Sequence, residues 1–202
     1  MSPLMATAEK KRDPIADGTY QAVCYALIDL GTQYNEHFGK SSHQVMIMWE
    51  IPELLIKFEK DGKEVEAPRV ISKKYTLSLG EKANLRKDLQ SWRGRAFTVE
   101  ELEGFDLTNV LEKNCMLQII NTTKDGKTYS NISSILPLYK GMSNIGPYMK
   151  PLYFSMSEGF DIPEAIPQWI KDIIMKSEEF KNNAPVSQEQ DTDVPVSDDV
   201  PF

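Results

Sequence analysis

Val70-Ile71-Ser72-Lys73-Lys74-Tyr75-Thr76-Leu77-Ser78-Leu79-Gly80-Glu81-Lys82-Ala83-Asn84-Leu85-Arg86-Lys87-Asp88-Leu89-Gln90-Ser91-Trp92 changes its hydrophobic period halfway along. Up to Leu77 the residues suit an extended strand, in which alternation puts Lys73 and Tyr75 on one face and Lys74 on the other. From Glu81 onward Leu85, Leu89 and Trp92 recur at i, i+4 and i+7, the spacing of one helical face. The passage therefore predicts a strand followed directly by a helix, with Arg86 and Lys87 on the helix flanks.

Reading outward, residues 19–30 form a Tyr-, Val-, Ile- and Leu-rich strand opened by Asp17-Gly18. Residues 31–42 are polar, with Gly31, Asn35 and Gly39, and read as a loop. A second strand over 44–51 is stopped by Pro52, and the apolar stretches 54–58 and 65–79 are separated by Asp61-Gly62, a favoured hairpin turn. The third main strand falls at 70–77. After the helix, Gly94 ends the segment and Thr98-Val99-Glu100-Glu101 starts a short second helix. Strands resume at 115–121 and 127–136, joined by Lys124-Asp125-Gly126. Three strands, a helical insert and two further strands is the order of an OB-fold, a five-stranded and partly open Greek-key barrel, although other small barrels also have five strands. The expected class is mainly β. Beyond Pro137 the chain is irregular until a helix over 167–180, with Trp169, Ile170, Ile173 and Ile174 as its apolar side. The expected organisation is a flexible arm at 1–16, the barrel domain at 17–138, an extension with a C-terminal helix at 139–180, and a disordered acidic tail at 181–202.

The net charge is −7, which taken alone opposes a polyanionic partner. Its distribution reverses that reading. Residues 181–202 hold five acids and one base, whereas residues 60–95 hold ten bases and five acids. A basic centre with an acidic end fits a binding surface plus an interaction tail. The N-terminal residues lack the apolar block of a secretory signal, and no apolar run is long enough to span a membrane, so a cytoplasmic protein is expected. Cys24 and Cys115 lie in apolar strand-like runs and read as two buried thiols of a reducing compartment.

Catalysis is not expected. His37 and His43 lack metal-ligand spacing, and His37-Phe38-Gly39-Lys40-Ser41-Ser42 carries only the end of a phosphate-loop pattern. Glu100, Glu101 and Glu103 are spaced as a solvated helix face. No cofactor or metal is expected. What does recur is aromatic residues interleaved with bases, the combination that binds a single nucleic-acid strand through stacking and phosphate neutralisation. The candidate contacts are Tyr34, Phe38 and Lys40 in the first loop; Arg69, Lys73, Lys74 and Tyr75 on the third strand; Arg93 and Arg95 after the helix; and Lys124, Lys127 and Tyr129 around the last hairpin. Trp49 and Trp92 read as core.

The last six residues, Ser197-Asp198-Asp199-Val200-Pro201-Phe202, resemble the acidic tip of bacterial single-stranded DNA-binding proteins. Such a tip suits a protein partner: Phe202 fills an apolar pocket while Asp198 and Asp199 meet a basic rim, with Val200 and Pro201 between them. Asp29-Leu30-Gly31-Thr32-Gln33, Lys74-Tyr75-Thr76-Leu77-Ser78-Leu79, residues 85–95, Gly104-Phe105-Asp106-Leu107 and Lys127-Thr128-Tyr129-Ser130-Asn131-Ile132 resemble bacteriophage-encoded OB-fold single-stranded DNA-binding proteins. The resemblance runs over about 17–138 and weakly to the Trp169 helix. It implies sequence-independent binding and protection of single-stranded DNA in phage replication and recombination in the host cytoplasm, with the tail recruiting replication or repair enzymes. A protein-interaction adaptor, a virion-associated small barrel and a single-strand annealing protein are the alternatives. The sequence leaves monomer against dimer, and DNA against RNA, open.

Overall fold

A computed structural model describes residues 13–36, 38–60 and 62–183. Five long strands form one antiparallel sheet: β1 (Gly18–Asn35), β2 (Lys40–Lys60), β3 (Lys63–Thr76), β4 (Asn114–Lys124) and β5 (Lys127–Leu136), ordered β3-β2-β1-β4-β5. A short β6 (Leu152–Phe154) adds to β1 in parallel. The helices α1 (Asn84–Arg93) and α2 (Val99–Glu103) follow β3, and α3 (Gln168–Ile174) and α4 (Glu178–Asn183) end the described chain. The protein is mainly β, a curled five-stranded half-barrel with a few short helices.

The curl originates in β1. Its first part, from Gly18 to Val23, pairs with β4, and its remainder, from Val23 to Asn35, pairs with β2. Register shifts at Cys24/Ala26 and Asp29/Gly31 bend the strand as it passes from one partner to the next. The outer strands β3 and β5 share no backbone ladder. Side chains and α1 bridge their seam instead: Lys73 Nζ donates to the Ile132 carbonyl at 3.4 Å, and the Ser91 hydroxyl donates to the Ile135 carbonyl at 2.6 Å. Further along the seam the Ile15 backbone N–H donates to Ser130 Oγ at 2.8 Å, while Arg69 holds the Asp13 carbonyl.

Two cores lie on opposite faces of β1 and β2. The inner one packs Cys24, Leu27, Val45, Ile47, Trp49, Ile71 and Tyr75 against Leu85, Leu89 and Trp92 of α1. The rings of Trp49 and Trp92 stand 5.8 Å apart, and the Trp92 indole N–H donates to the Asn114 carbonyl. The outer core packs Ile28, Leu30, Met46 and Met48 against Phe154, Met156, Ile166, Ile170 and Ile174 of the extension. A strand buried on both faces has no polar alternation to keep, which explains the unbroken run Ala22-Val23-Cys24-Tyr25-Ala26-Leu27-Ile28.

Several local expectations change. Residues 31–35 and 40–42 belong to strands, because Asp29, Glu178 and Glu179 accept the hydrogen bonds that this polar stretch offers, and among the described residues Glu36, Phe38 and Gly39 turn. Pro52 does not end β2. It falls in the register shift between Ile51 and Leu55, where a ladder N–H is not needed. The apolar stretches on either side of 61–62 are thus arms of one long hairpin. The single helix at 167–180 is two helices, because Ser177 accepts from the Phe180 N–H and caps a new first turn. Trp169 is half exposed, and Ile170 and Ile174 face the core.

The extension and β1 are locked together at Gly31, whose φ is +68°. A Cβ there would stand 2.4 Å from Met156 Cε and 2.6 Å from Ser177 Cβ. Gly31→Ala is predicted to destabilise the protein by about 1–3 kcal/mol or more. Ile170→Ala costs about 2–5 kcal/mol, within the same single unfolding transition as Leu89→Ala. Denaturant unfolding checks both, and separate transitions for the two cores would refute their unity.

Candidate nucleic-acid interface

The turn joining β1 and β2 presents Tyr34, 63% exposed, and Phe38, 71% exposed, with the exposed Lys40 opening β2. Its base is braced rather than loose. The Thr32 backbone N–H and hydroxyl both donate to Glu179, at 2.7 and 2.6 Å, and the Ser41 hydroxyl donates to Glu178. Burial works against the Glu179 charge, yet the two Thr32 donors outweigh it and, with His43 nearby, hold the carboxyl below its ordinary range. His43 also meets Asp29, Nε2 to Oδ1 at 2.7 Å. The rings at the tip are therefore carried on a fixed mount.

On β3 the alternation separates neighbours. Lys73 and Tyr75 point inward, where Lys73 Nζ and the Tyr75 hydroxyl both donate to Asp88 Oδ2, at 2.6 and 2.7 Å. Tyr75 is 3% exposed, so as a base-stacking residue it is corrected to a core residue. Burial, then the Asp88 charge, pushes its phenol far above the usual range. Lys73 is likewise spent on closing the seam.

Lys74 points outward into a recess of about 340 Å³ shared with Gln44, Thr76, Lys82, Ala83 and Asn84. The recess meets the start of α1, whose N-cap position is Ala83, with no side-chain cap and no acid in the first turn. Open backbone N–H groups beside two lysines favour a phosphate. Neither Lys74 nor Lys82 has an ion-pair partner among the described residues. Gln44, Lys82 and Asn84 were missed from sequence. The one legible signal was a helix starting after Lys82-Ala83 without a capping residue.

Arg93 and Arg95 serve the connection between α1 and α2. Both pair with Glu101, and the Arg93 guanidinium lies 4.4 Å from the Phe97 ring centre and 5.0 Å from that of Phe105. The Arg95 hydrogen bonds, then the Thr98 backbone N–H, with Arg93 assisting, hold the Glu101 carboxyl at about 2. Arg93 is thus a packing residue, while Arg95 remains 56% exposed beside the carboxylate it shares. Arg69 is taken by the Asp13 carbonyl.

At the β4–β5 hairpin, Asp125 (φ 51°) and Gly126 (φ 71°) form a two-residue turn of the kind that matches strand twist. Lys124 and Lys127 face each other across it, without ion-pair partners among the described residues. Tyr129, half exposed, pairs with Thr122, and the exposed Ile120 pairs with Asn131 on the same outer surface. The register puts this tip and the β2–β3 tip at the Gly18 end of β1, with Tyr34 and Phe38 at the other end.

A separate cleft of about 250 Å³ opens between Leu27, Val45, Leu77, Phe105, Leu107 and Tyr153. Among the described residues no group of His, Cys, Asp or Glu side chains could hold a metal ion, and no helix is long and apolar enough to cross a membrane. Cys24 and Cys115 are free and buried, with burial raising both thiols. Asp198, Asp199, Val200, Pro201 and Phe202 lie outside the described residues. No family model matches the chain, and a search of curated proteins finds no relative.

The two neighbouring lysines differ in their structural role. Lys73→Ala is predicted to cost about 1–3 kcal/mol in unfolding experiments, since it breaks a charged hydrogen bond in the seam. Lys74→Ala leaves the unfolding midpoint in place. Glu101 is a pH probe: a carboxyl depressed on folding stabilises above its unfolded value of 4.5 and loses that contribution as pH falls toward 2. Glu101→Gln therefore flattens the acid limb of a stability-against-pH curve over that window.

Proposed function

We propose that this protein binds single-stranded DNA without catalysis and with little sequence preference. The observation that carries the reading is the pairing of exposed rings with uncommitted lysines: Tyr34 and Phe38 with Lys40, and Tyr129 with Lys124 and Lys127. Rings supply sequence-tolerant stacking at about 1–3 kcal/mol per base, and lysines neutralise phosphates. The recess at Lys74 and Lys82 adds a place for a backbone phosphate between them. An OB-fold reading is supported by the strand order and by α1 lying over the seam between β3 and β5. The residues that resemble phage single-stranded DNA-binding proteins favour a role in replication or recombination. The acidic tip at 198–202 would then recruit a partner enzyme.

Anisotropy of a labelled oligothymidine, read at several salt concentrations, tests the reading. Log affinity is expected to fall with log salt at about −0.7 per phosphate neutralised. The double variant Lys74→Glu/Lys82→Glu should weaken binding at least tenfold, and Phe38→Ala several-fold. A chain ending at Asn183 should bind as well as the full chain or better, because the acids it loses repel phosphate. Equal affinity for duplex, or no response to salt, would exclude this function.

A further inference from the structure

We propose that residues 137–150 form a second single-strand surface, apart from the one around Lys40, Lys74 and Lys82. The proposal rests on the single-strand function above and adds a site to it. The segment contains Lys140 and Lys150 and no acid, and the first acid after it is Glu158. It crosses the outer side of the sheet as a strap. Gln21 Nε2 donates to the Ser143 carbonyl at 2.9 Å, and Asn114 exchanges two hydrogen bonds with the Ile145 backbone, at 2.9 and 3.0 Å.

The far end of the strap is fixed by a buried charge. Glu50 has no exposed surface, and its carboxylate accepts the backbone N–H groups of both Tyr148 and Met149. The Tyr148 hydroxyl donates to the Glu66 carbonyl at 3.0 Å. Those backbone anchors leave the side chains facing outward: Tyr139 is 52% exposed and Tyr148 61%, with Met142 and Ile145 between them also exposed. The two backbone donors compensate the buried charge, and Glu50 thereby fixes the strap at Tyr148 and Met149. Exposed aromatic rings, one of them held at Tyr148, with lysines at both ends of an acid-free segment suit a single strand: stacking at Tyr148 has a reduced ordering cost, and phosphates meet no repulsion within the segment.

The two surfaces are separated by geometry and by charge. Along β4 the strap sits at Asn114 and the Tyr129 part of the first surface at Thr122, eight residues or roughly 26 Å away. Along β2 the strap sits at Glu50 and the other part at Lys40 to Gln44, six residues or roughly 20 Å away at about 3.3 Å each. Between them the outer faces of Met46 and Met48 are covered by the extension. The extension is net acidic, with Glu158, Asp161, Glu164, Asp172, Glu178 and Glu179 against Lys171, Lys176 and Lys181, which disfavours a continuous phosphate path across it. A chain with two such surfaces holds two strand segments at once, either a looped strand or two different molecules.

The test is the stoichiometry of a short oligothymidine, about six nucleotides and near the lower end of a small barrel's site size, titrated into the full chain by native mass spectrometry and calorimetry. The wild-type protein should take two oligonucleotides. Tyr139→Ala/Lys140→Glu/Tyr148→Ala/Lys150→Glu should take one, with the remaining affinity within about threefold. Lys74→Glu/Lys82→Glu should also drop to one while keeping the strap. Tyr148→Phe, which loses the hydroxyl and keeps the ring, should retain two. A wild-type stoichiometry of one, or two oligonucleotides still bound by the strap variant, overturns the proposal. Binding to none, even at low salt, instead sinks the parent function. If the quadruple variant does not fold, photocrosslinking of an iodouridine oligonucleotide to the wild-type chain decides: adducts on Tyr139 or Tyr148 support the strap, and adducts confined to Tyr34, Phe38 and Tyr129 overturn it.

Discussion

Everything in this molecule hangs on β1 being occupied on all sides. Its edges are hydrogen-bonded to β2, β4 and β6, and both of its faces are buried. A strand with no solvent side needs apolar residues on both faces, and the chain supplies them from Ala22 to Ile28. Two covering layers are then obligatory: α1 with the curled sheet on one face, and the extension on the other. Without the extension, Ile28, Leu30, Met46 and Met48 would form an exposed apolar patch of the kind that drives association.

Carboxylates fasten the layers at the points where the chain changes direction. Asp29 accepts from the Gly31 and Met156 backbone N–H groups, Glu50 from Tyr148 and Met149, Glu179 from Thr32, and Asp88 from Lys73 and Tyr75. Each joins segments distant in sequence, except Asp88, which closes the seam between the third strand and the helix that follows it. In partly buried settings a charged acceptor bonded to two or more donors is held more strongly than a neutral one. Much of the acidic excess outside the tail is therefore structural and says little about partners.

The basic residues divide on the same principle. Lys73, Arg69 and Arg93 look equivalent to Lys74, Lys82 and Lys127 in sequence, but the first three are committed to Asp88, Asp13 and Glu101. The second three face outward without ion-pair partners among the described residues. Lys73 and Arg93, matched to fixed carboxylates, and Arg69, tied to a backbone carbonyl, have little left for a phosphate. Of the basic centre's lysines and arginines, fewer face outward unpaired than their count implies.

The sequence by itself determined the elements that depend on local periodicity. The strand-to-helix change around Gly80, the turns at Gly62 and Asp125-Gly126, the inward Trp49 and Trp92 and the opposite faces of Lys73 and Lys74 all follow from residues within a few positions of each other. It also marked Phe38 in the polar turn between the first two strands, where nothing is at hand to bury a ring. Only the tertiary structure decided that 31–35 and 40–42 are strand, that Tyr75 is buried beneath α1, and that residues 137–150 are held in place. These outcomes depend on Glu179, Asp88 and Glu50, which meet their partners across 13 to 147 positions of chain. Periodicity records which face a residue occupies, but not which distant acceptor waits there.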